Sequence, residues 1–493
     1  MSSPVARSEV FADRSLFGHP KGLGLLFITE MWERFSYYGM RALLVLYLVN
    51  AQHWTTARAA TLYGNYTMLA FLTPLVGGYL ADRVIGTRRS LVIGGIIIAA
   101  GHFTLALQGD AAFYTGLGLI ILGTGFFKSN VSTQVGQIYA DGDARRDAGF
   151  TIFYVGINTG AFLGPIVCGY LAASPNFGWH YGFAAAGVGM VLGLITYLWG
   201  REKYLPGIGL PNFGMTESKT DGIKSSGIAG SNPMHGVGGA VVGGVIGFVG
   251  GGWLGLAMCA VIGGALGIAI LGSHGEERRR VYAIFIVAFF VVFFWAAYEQ
   301  AGSSMNLFAD RNTDLTLGGR LSTPIPAAWF QSVNSAFILI FAPIFALMWT
   351  MLAKRKLEPS TAMKMVIGLM LLGTGFVFMV IGAKGADQGI RVSWIWLTTA
   401  YLFHTLGELC LSPIGLSYVT KVAPVRFASL MMGVWFLANA AANKLAGTIA
   451  AMVEKIPTLT QFYTIFVISS FSAAFLMLFC VPLLKRLTSS VKA

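Results

Sequence analysis

The chain has 493 residues, of which 55% are hydrophobic and only 11% are charged, and its mean hydropathy is +0.67. Soluble globular domains carry about 25% charged residues, so the composition excludes a soluble multidomain protein and indicates a polytopic membrane protein. The net charge of +13 would favour nucleic-acid binding in a soluble chain. Here the basic residues lie mainly in loops on one membrane side, where anionic lipid accounts for them, and no nucleic-acid partner is predicted.

Several chemical functions are not expected from the motifs. The four cysteines lie in separate apolar stretches without ligand spacing, so neither disulfides nor a zinc site are expected: Cys168, Cys259, Cys410 and Cys480. No G-x-x-x-x-G-K-[ST] phosphate loop and no H-E-x-x-H metal motif occurs. We therefore predict no enzyme activity, no cofactor and no metal, and no direct use of ATP.

Apolar windows of about 20 residues, the length that crosses a bilayer, recur along the chain. The sequence predicts fourteen such spans: 22–50, 59–80, 90–109, 112–137, 149–172, 178–199, 236–253, 254–273, 281–305, 326–352, 361–383, 392–420, 427–452 and 459–484. The seventh and eighth form one glycine-rich block without charged residues. The other twelve divide into six plus six, which is the arrangement of major facilitator transporters.

This division predicts an all-α membrane protein of the major facilitator fold, with two six-helix bundles and two additional transmembrane helices. The segments are an N-terminus (1–21), a first bundle (22–200), a linker (201–235), the extra pair (236–273), a second bundle (281–484) and a tail (485–493). Residues 1–21 contain five charges and no apolar core, so they do not form a cleavable signal peptide. Lys and Arg accumulate in cytoplasmic loops, and their distribution predicts that both termini are cytoplasmic.

Four charged and two tyrosine side chains share one face of the first span. Their offsets of 0, 3, 4, 7, 8 and 11 follow the helical period: Glu30, Glu33, Arg34, Tyr37, Tyr38 and Arg41. A charge at the bilayer centre costs at least about 2.5 kcal/mol, so this face must meet protein or water. We predict that it lines a cavity, the alternative being a self-neutralised cluster that orients helices.

Isolated charges elsewhere form two predicted pairs across that cavity. Lys128 and Glu408 each lie about 24 Å from the outer start of their spans, in different bundles. A zwitterion with a carboxylate at one end and an amine at the other would fit between them. Arg41 and Glu299 both lie about 27 to 29 Å above the inner start of their spans, and could form an outer gate pair.

The sequence also resembles the proton-dependent oligopeptide transporter (POT/PTR) family. Its signature Glu-x-x-Glu-Arg-Phe-x-Tyr-Tyr is met from Glu30 to Tyr38, and its second signature, Phe-Tyr-x-x-Ile-Asn-x-Gly, is met from Phe153 to Gly160. Further segments that resemble the family contain Trp295, Asn334, Ser412 and Trp435. The resemblance covers residues 22–484. Two departures are Ser129, where Lys-Pro-Asn is common, and Gly64, where animal members carry a histidine.

The resemblance implies proton-coupled uptake of di- and tripeptides through a bacterial inner membrane. It implies that the peptide carboxylate binds to Arg34, Arg41 and Lys128, and the peptide amine to Asn158, Asn334 and Glu408. Aromatic and polar side chains are expected to shape the pocket: Tyr37, Tyr38, Tyr63, Tyr154, Trp295, Ser412 and Trp435. Expected partners are small peptides, protons and lipid, and the oligomeric state is left open.

Proton coupling is expected to rest on carboxylates. Burial raises the pKa of a carboxyl group and a nearby cation lowers it, so making and breaking an ion pair can load and release a proton. Glu30 and Glu33 beside Arg34 have this chemistry, and Glu299 is an alternative coupling site. Two other functions remain open at this point, namely transport of another anion such as nitrate, and peptide sensing without transport.

Overall fold

The computed structural model describes residues 4–140, 142–210, 233–424 and 427–489. The first bundle, which we call the N half, follows a short helix α1 (Pro4–Ala12). Its helices are α2 (Lys21–Asn50), α3 (Thr56–Leu80), α4 (Thr87–Leu105), α5 (Asp110–Gln137), α6 (Arg146–Ala173) and α7 (Trp179–Tyr204). A π-helical turn, Ala81–Ile85, joins α3 to α4.

The second bundle, the C half, follows a glycine-rich helix α8 (Pro233–Leu271). Its long helices are α9 (Gly275–Tyr298), α11 (Phe330–Lys354), α12 (Thr361–Ala386), α13 (Trp394–Val422), α14 (Ala428–Ala450) and α15 (Leu459–Leu487), and α10 (Ser304–Asn312) is short. Three 3₁₀ turns lie at Glu299–Gly302, Ala327–Trp329 and Val453–Lys455. Strands β1 (Thr313–Asp314) and β2 (Val392–Ser393) form a two-residue parallel pair.

The long helices match the predicted spans to within a few residues. Capping side chains explain several starts, because Thr55, Ser360 and Thr458 each accept a hydrogen bond from the backbone three residues later. Nine helical segments in the described part of the chain are long and apolar enough to cross a membrane. Helix α2, with 30 residues, is also long enough, but it is less apolar because it carries the four charges of its polar face. The predicted all-α fold class is confirmed.

Two regions of the chain differ from the predicted spans. The span 281–305 is not one α-helix, since α9 ends at Tyr298 and Glu299 begins a 3₁₀ turn. Residues 233–271, predicted as two spans, are assigned to one helical segment, α8. Its two ends nevertheless lie side by side, since a Cβ at Gly264 would be 3.4 Å from the carbonyl oxygen of Gly236. In a straight helix these residues would be about 42 Å apart, so the chain reverses direction between them.

Each half is held together by its own helices, and the halves meet along two seams. In the N half α2 packs against α6 and α7, and α4 packs against α5; in the C half α12 packs against α13 and α15. The seams between the halves are α3 with α14 and α6 with α11. We call the membrane side where α2 begins and α15 ends the terminal side, and the opposite side the distal side.

The distal side is closed by contacts that cross from one half to the other. Ser332 Oγ donates to the Phe162 carbonyl at 2.6 Å, and Asn306 Nδ2 donates to the Ala42 carbonyl at 2.9 Å. Glu454 accepts a hydrogen bond from the first amide of α3, Thr56 N, at 2.6 Å. At the α3–α14 seam a Cβ on Gly64 would lie 2.8 Å from the backbone of Gly447, so no side chain fits there.

On the terminal side, two arginines brace the N half internally. Arg88 Nε donates to the Ile208 carbonyl at 3.1 Å and so ties the segment after α7 to the start of α4. Arg145 donates to the Phe11 and Gly18 carbonyls at 2.8 and 3.0 Å, which docks α1 and the turn after it. Hydrogen bonds from Arg145 also hold the pKa of the Asp143 carboxyl below its ordinary value.

Candidate functional site

A cavity lies between the halves, beside the polar face of α2. Residues from both halves line it: Arg34, Tyr37, Tyr38, Arg41, Phe71, Lys128, Tyr154, Ile157, Asn158, Trp295, Tyr298, Glu299, Ala301, Gln331, Asn334, Ser335, Ile338, Tyr401, Glu408, Asn439 and Asn443. The structure thus brings together eleven of the side chains that the sequence predicts for the site. They come from α2, α5, α6, α9, α11, α13 and the 3₁₀ turn after α9.

The first charged group of the site, which we call the acid pair cluster, consists of Glu30, Glu33 and Arg34. All three are buried, with 3%, 0% and 4% of their surface exposed. Arg34 Nε lies 2.9 Å from Glu30 Oε1 and 2.5 Å from Glu33 Oε2. Two carboxylates therefore share one guanidinium group, so the cluster has one negative charge in excess when both are ionised. Glu30 and Glu33 lie behind Arg34 and do not line the cavity.

The second charged group, which we call the crossing cluster, joins the halves through Arg41 and Glu299. The Arg41 guanidinium donates to the Glu299 carboxylate and to the hydroxyl of Tyr63. The exposed fractions of the Arg41 and Glu299 side chains are 11% and 7%. Among the ion pairs of the described residues, this is the one that crosses from the N half to the C half. Tyr63 is held behind Arg41 and does not line the cavity.

Glu408 is the carboxylate on the C-half wall of the cavity. Its Oε2 accepts a hydrogen bond from the Tyr298 hydroxyl at 2.5 Å and another from Asn334 Nδ2 at 3.0 Å. Asn334 also donates to the Thr405 hydroxyl at 3.0 Å, which fixes the orientation of its amide. Helices α9, α11 and α13 thus converge on one acceptor.

Lys128 is the cation on the opposite wall, in the N half. Its Nζ lies 4.1 Å from the ring centroid of Phe71, a cation–π contact. Within the described residues, no carboxylate lies within 4 Å of this ammonium group. Among the described residues, Lys128 is therefore the cavity cation that is not already paired with an acid. Nearby, Asn158 Nδ2 donates to the Tyr154 carbonyl at 3.0 Å, and both residues line the cavity.

Besides Tyr63, two of the predicted pocket residues are not seen on the cavity wall. Trp435 is 7% exposed and packs in the hydrophobic core. It precedes Asn439 and Asn443 by one and two helical turns on α14, so the stripe that it begins reaches the cavity only further toward the distal side. The side chain of Ser412 lies outside the described residues.

Several wall residues were missed by the sequence prediction. They are Phe71, Ile157, Tyr298, Ala301, Gln331, Ser335, Ile338, Tyr401, Asn439 and Asn443. The signal for two of them is present, because Asn439 and Asn443 are amides spaced by one turn within an apolar span. Tyr298 could be found only from its hydrogen bond to Glu408, since a tyrosine at that place in a span is also an ordinary packing residue.

The described residues contain no group of three or more His, Cys, Asp or Glu side chains that could hold a metal ion. The cavity donors are instead guanidinium, ammonium, amide and phenol groups, and its acceptors are the Glu299 and Glu408 carboxylates. Such a set can bind a small ligand that carries both charges.

Comparison with known proteins shows which family has this architecture. A sequence profile of the POT family matches residues 88–212 and 258–468. Peptide transporter YePEPT of Yersinia enterocolitica subsp. palearctica serotype O:3 is 37% identical, over 97% of both chains. A di-/tripeptide transporter of Lactococcus lactis subsp. cremoris is 35% identical, over 92% of this chain and 93% of the relative.

The solved structures agree with the sequence relatives. The crystal structure of peptide transporter POT in complex with sulfate superposes with a TM-score of 0.81 at 37% identity, covering 98% of this chain and 99% of the other. The resemblance expected from the signatures is confirmed. The relatives are transporters and not enzymes, as the sequence predicted. This chain is a multi-pass membrane protein and belongs to the POT family.

Proposed function

We propose that the protein is a proton-coupled symporter that imports di- and tripeptides by alternating access of the two halves. The observation that carries the proposal is one cavity with an unpaired cation, Lys128, on its N-half wall and a carboxylate, Glu408, on its C-half wall. A short peptide is a zwitterion, so its ends complement these two walls. The names of the relatives support the same class of substrate.

The peptide carboxylate binds chiefly at Lys128, with Arg34 and Arg41 adding positive charge from α2. Both arginines already face acids of their own, at the acid pair cluster and the crossing cluster. No carboxylate among the described residues lies within 4 Å of Lys128. A ligand carboxylate can therefore pair with this ammonium group without displacing an acid of the protein. At the other end the peptide amine binds at Glu408, Asn334 and Asn158.

Proton coupling rests on the acid pair cluster. With both Glu30 and Glu33 ionised, Arg34 compensates one of two buried negative charges, and one added proton makes the cluster neutral. Burial of an uncompensated charge is costly, so loading of the proton and rearrangement of the cluster are linked. Glu299 is the second coupling carboxylate, because breaking its contact with Arg41 leaves it free to accept a proton.

The terminal side faces the cytoplasm. The chain carries 34 Lys and Arg residues, most of them in segments on this side, as the positive-inside rule requires. Both termini are then cytoplasmic, and the membrane is the bacterial inner membrane. In this orientation the closed distal side is the external side, so the structure is a state in which the cavity is shut off from the outside.

Reconstitution into proteoliposomes tests the proposal. Dialanine should accumulate when an inward proton gradient is imposed, and an ionophore that collapses the gradient should abolish accumulation. Counterflow of labelled dialanine should persist without a gradient, and nitrate should not replace the peptide, because Glu408 repels a purely anionic ligand. Counterflow with nitrate but not with dialanine would contradict the peptide assignment, and equal uptake with the gradient collapsed would contradict symport.

A further inference from the structure

A second cavity, which we call the seam groove, lies where α6 of the N half meets α11 of the C half. Its volume is about 390 Å³, which is within the range of small-molecule sites in proteins. The residues that line it come from α6, α11, α13 and the segment before α11: Phe162, Ile166, Leu317, Ile325, Trp329, Phe330, Ser332, Val333, Ala336, Phe337, Ile340, Trp394 and Thr398. None of these side chains is charged, so the groove does not suit a zwitterionic peptide.

Helix α11 separates the seam groove from the central cavity. Asn334 and Ile338 lie on the face of α11 that lines the central cavity, whereas Val333 and Ile340 lie on the opposite face and line the groove. Ile340 is 57% exposed, and Ile344, one turn further along the helix, is 51% exposed. An exposed apolar face of a membrane-spanning helix meets lipid. The groove is therefore open to the bilayer.

The seam groove has the length of one leaflet. It follows α11 from Phe330 to Ile340, a rise of about 15 Å, and the hydrocarbon core of a bilayer is about 30 Å thick. Trp329 and Trp394 line its distal end, and tryptophan is enriched where hydrocarbon meets the lipid headgroups. The groove thus extends from headgroup level toward the midplane, which is the interval that an acyl chain occupies.

Both halves build the seam groove, and two hydrogen bonds between them lie in its wall. Trp329 Nε1 donates to the Ile166 carbonyl at 3.0 Å, and Ser332 Oγ donates to the Phe162 carbonyl at 2.6 Å. The two donors belong to the C half and the two acceptors to the N half. Opening of the distal side parts α6 from α11, so an occupant of the groove contacts both halves only in the distally closed state.

We propose that the seam groove binds an acyl chain of a phospholipid of the distal leaflet, and that this chain stabilises the distally closed state. The inference uses the proposed alternation of the two halves but not the proposed substrate. Inside a bilayer the chain gains packing contacts with the walls, which an empty groove would forfeit. A ligand shifts an equilibrium by its differential affinity for the two states, and this chain loses one wall of its site when the distal side opens.

Ala336→Phe tests the binding site, because it places a ring in the seam groove. The matched control is Ala346→Phe, the same change at an exposed position of the same helix outside the groove. Each protein is reconstituted with a phospholipid that carries a diazirine in its acyl chain, and lipid adducts are mapped by mass spectrometry after photolysis. We expect adducts on groove residues of both α6 and α11 in the parent. Ala336→Phe should lower them at least fivefold relative to adducts elsewhere on the protein, and Ala346→Phe should leave them within twofold of the parent.

A second measurement needs no change in the groove. Glu299→Ala removes one partner of the pair between the halves and should lower the distally closed fraction, which distances between spin labels on the two distal surfaces report. Lipid adducts in the groove should fall in the same proportion. Labelling that stays constant while the closed fraction falls would overturn the link between the chain and distal closure.

Three further outcomes would overturn the binding site itself. They are adducts in the parent groove no more frequent than on the exposed surface around Ala346, an equal loss of groove adducts in both phenylalanine variants, and links between two copies of the chain at groove residues in place of lipid adducts. A failure to accumulate dialanine would contradict the proposed function and leave these results intact, since the labelling does not depend on transport.

Discussion

The N half and the C half present different chemistry to the cavity between them. The N-half wall carries three cations, Arg34, Arg41 and Lys128, whereas the described C-half wall carries two carboxylates, Glu299 and Glu408, with neutral amides and phenols. A ligand therefore meets a positive wall in one half and a negative wall in the other. A zwitterion is held by both, so its binding is linked to the distance between the halves.

The largest expected effect comes from removing the unpaired cation. Lys128→Ala should raise the half-saturating concentration of dialanine about 10- to 100-fold, since a charge-assisted hydrogen bond contributes about 1.5–3 kcal/mol. A peptide with an amidated C-terminus should be nearly indifferent to this change. Glu408→Gln tests the opposite wall in the same way. The half-saturating concentration of a peptide with a blocked amine should change little in this variant. Competition for labelled dialanine measures both, and an identical response of both variants to both blocked peptides contradicts the two-wall description.

The second largest effect is expected from removing one of the two carboxylates that share Arg34 in the N half. Glu33→Gln leaves one carboxylate for Arg34, so the cluster no longer needs a proton to become neutral. Gradient-driven accumulation should fall at least tenfold, while counterflow continues because exchange does not require release of the proton. Driven uptake that persists in this variant would remove Glu33 from the coupling and leave Glu299 as the candidate.

The third largest effect is expected from breaking the ion pair between the halves, Arg41 with Glu299. Arg41→Ala or Glu299→Ala should weaken distal closure and lower driven uptake about five- to tenfold, because each leaves a buried charge without its partner. The exchanged pair, Arg41→Glu with Glu299→Arg, should recover part of the loss if attraction between the halves is what matters. Cysteines at both positions should crosslink in the distally closed state, and equal crosslinking in a distally open state would refute the gate.

The smallest effect concerns a cap contributed by the other half. Glu454 of the C half accepts from Thr56 N and Ala57 N at the start of α3 in the N half. Glu454→Gln keeps the size but removes the charge at this helix terminus, and should shift the equilibrium between closed and open distal sides by about 1 kcal/mol, or about fivefold. Lys455→Gln is the neighbouring control. Distances between spin labels on the two distal surfaces report the populations, and identical populations in both variants would assign Glu454 no part in closure.

Much of the fold and the charged part of the site could be predicted because charges inside a membrane are costly and therefore rare. Each intramembrane charge that the sequence singled out for the site lies at the cavity or directly behind it, and Arg41 and Glu299, placed level by counting residues, are in contact. Roles in binding and coupling stay predictions until the variants above are measured.

The part of the site that could not be predicted depends on how the helices are rotated and where they are interrupted. Counting residues along the sequence does not give this information. Asn439 and Asn443 each bond to a carbonyl of their own helix, so their presence in an apolar span did not demand a cavity. Trp435 is on the same stripe but lies one turn nearer the terminal side than Asn439, and it does not line the cavity. The 3₁₀ turn that begins at Glu299 also follows no signal in the sequence that would distinguish it from continued helix.

The bare backbone contact between Gly64 and Gly447 has a consequence for how sequences in this family can diverge. Any side chain at position 64 would meet the backbone of Gly447 and Asn443 and hold α3 away from α14. A histidine there therefore cannot arise by a single substitution without opening this seam. Positions 64 and 447 should change together among relatives, and lineages that place a titratable group at 64 should have a wider separation of these two helices than the chain described above.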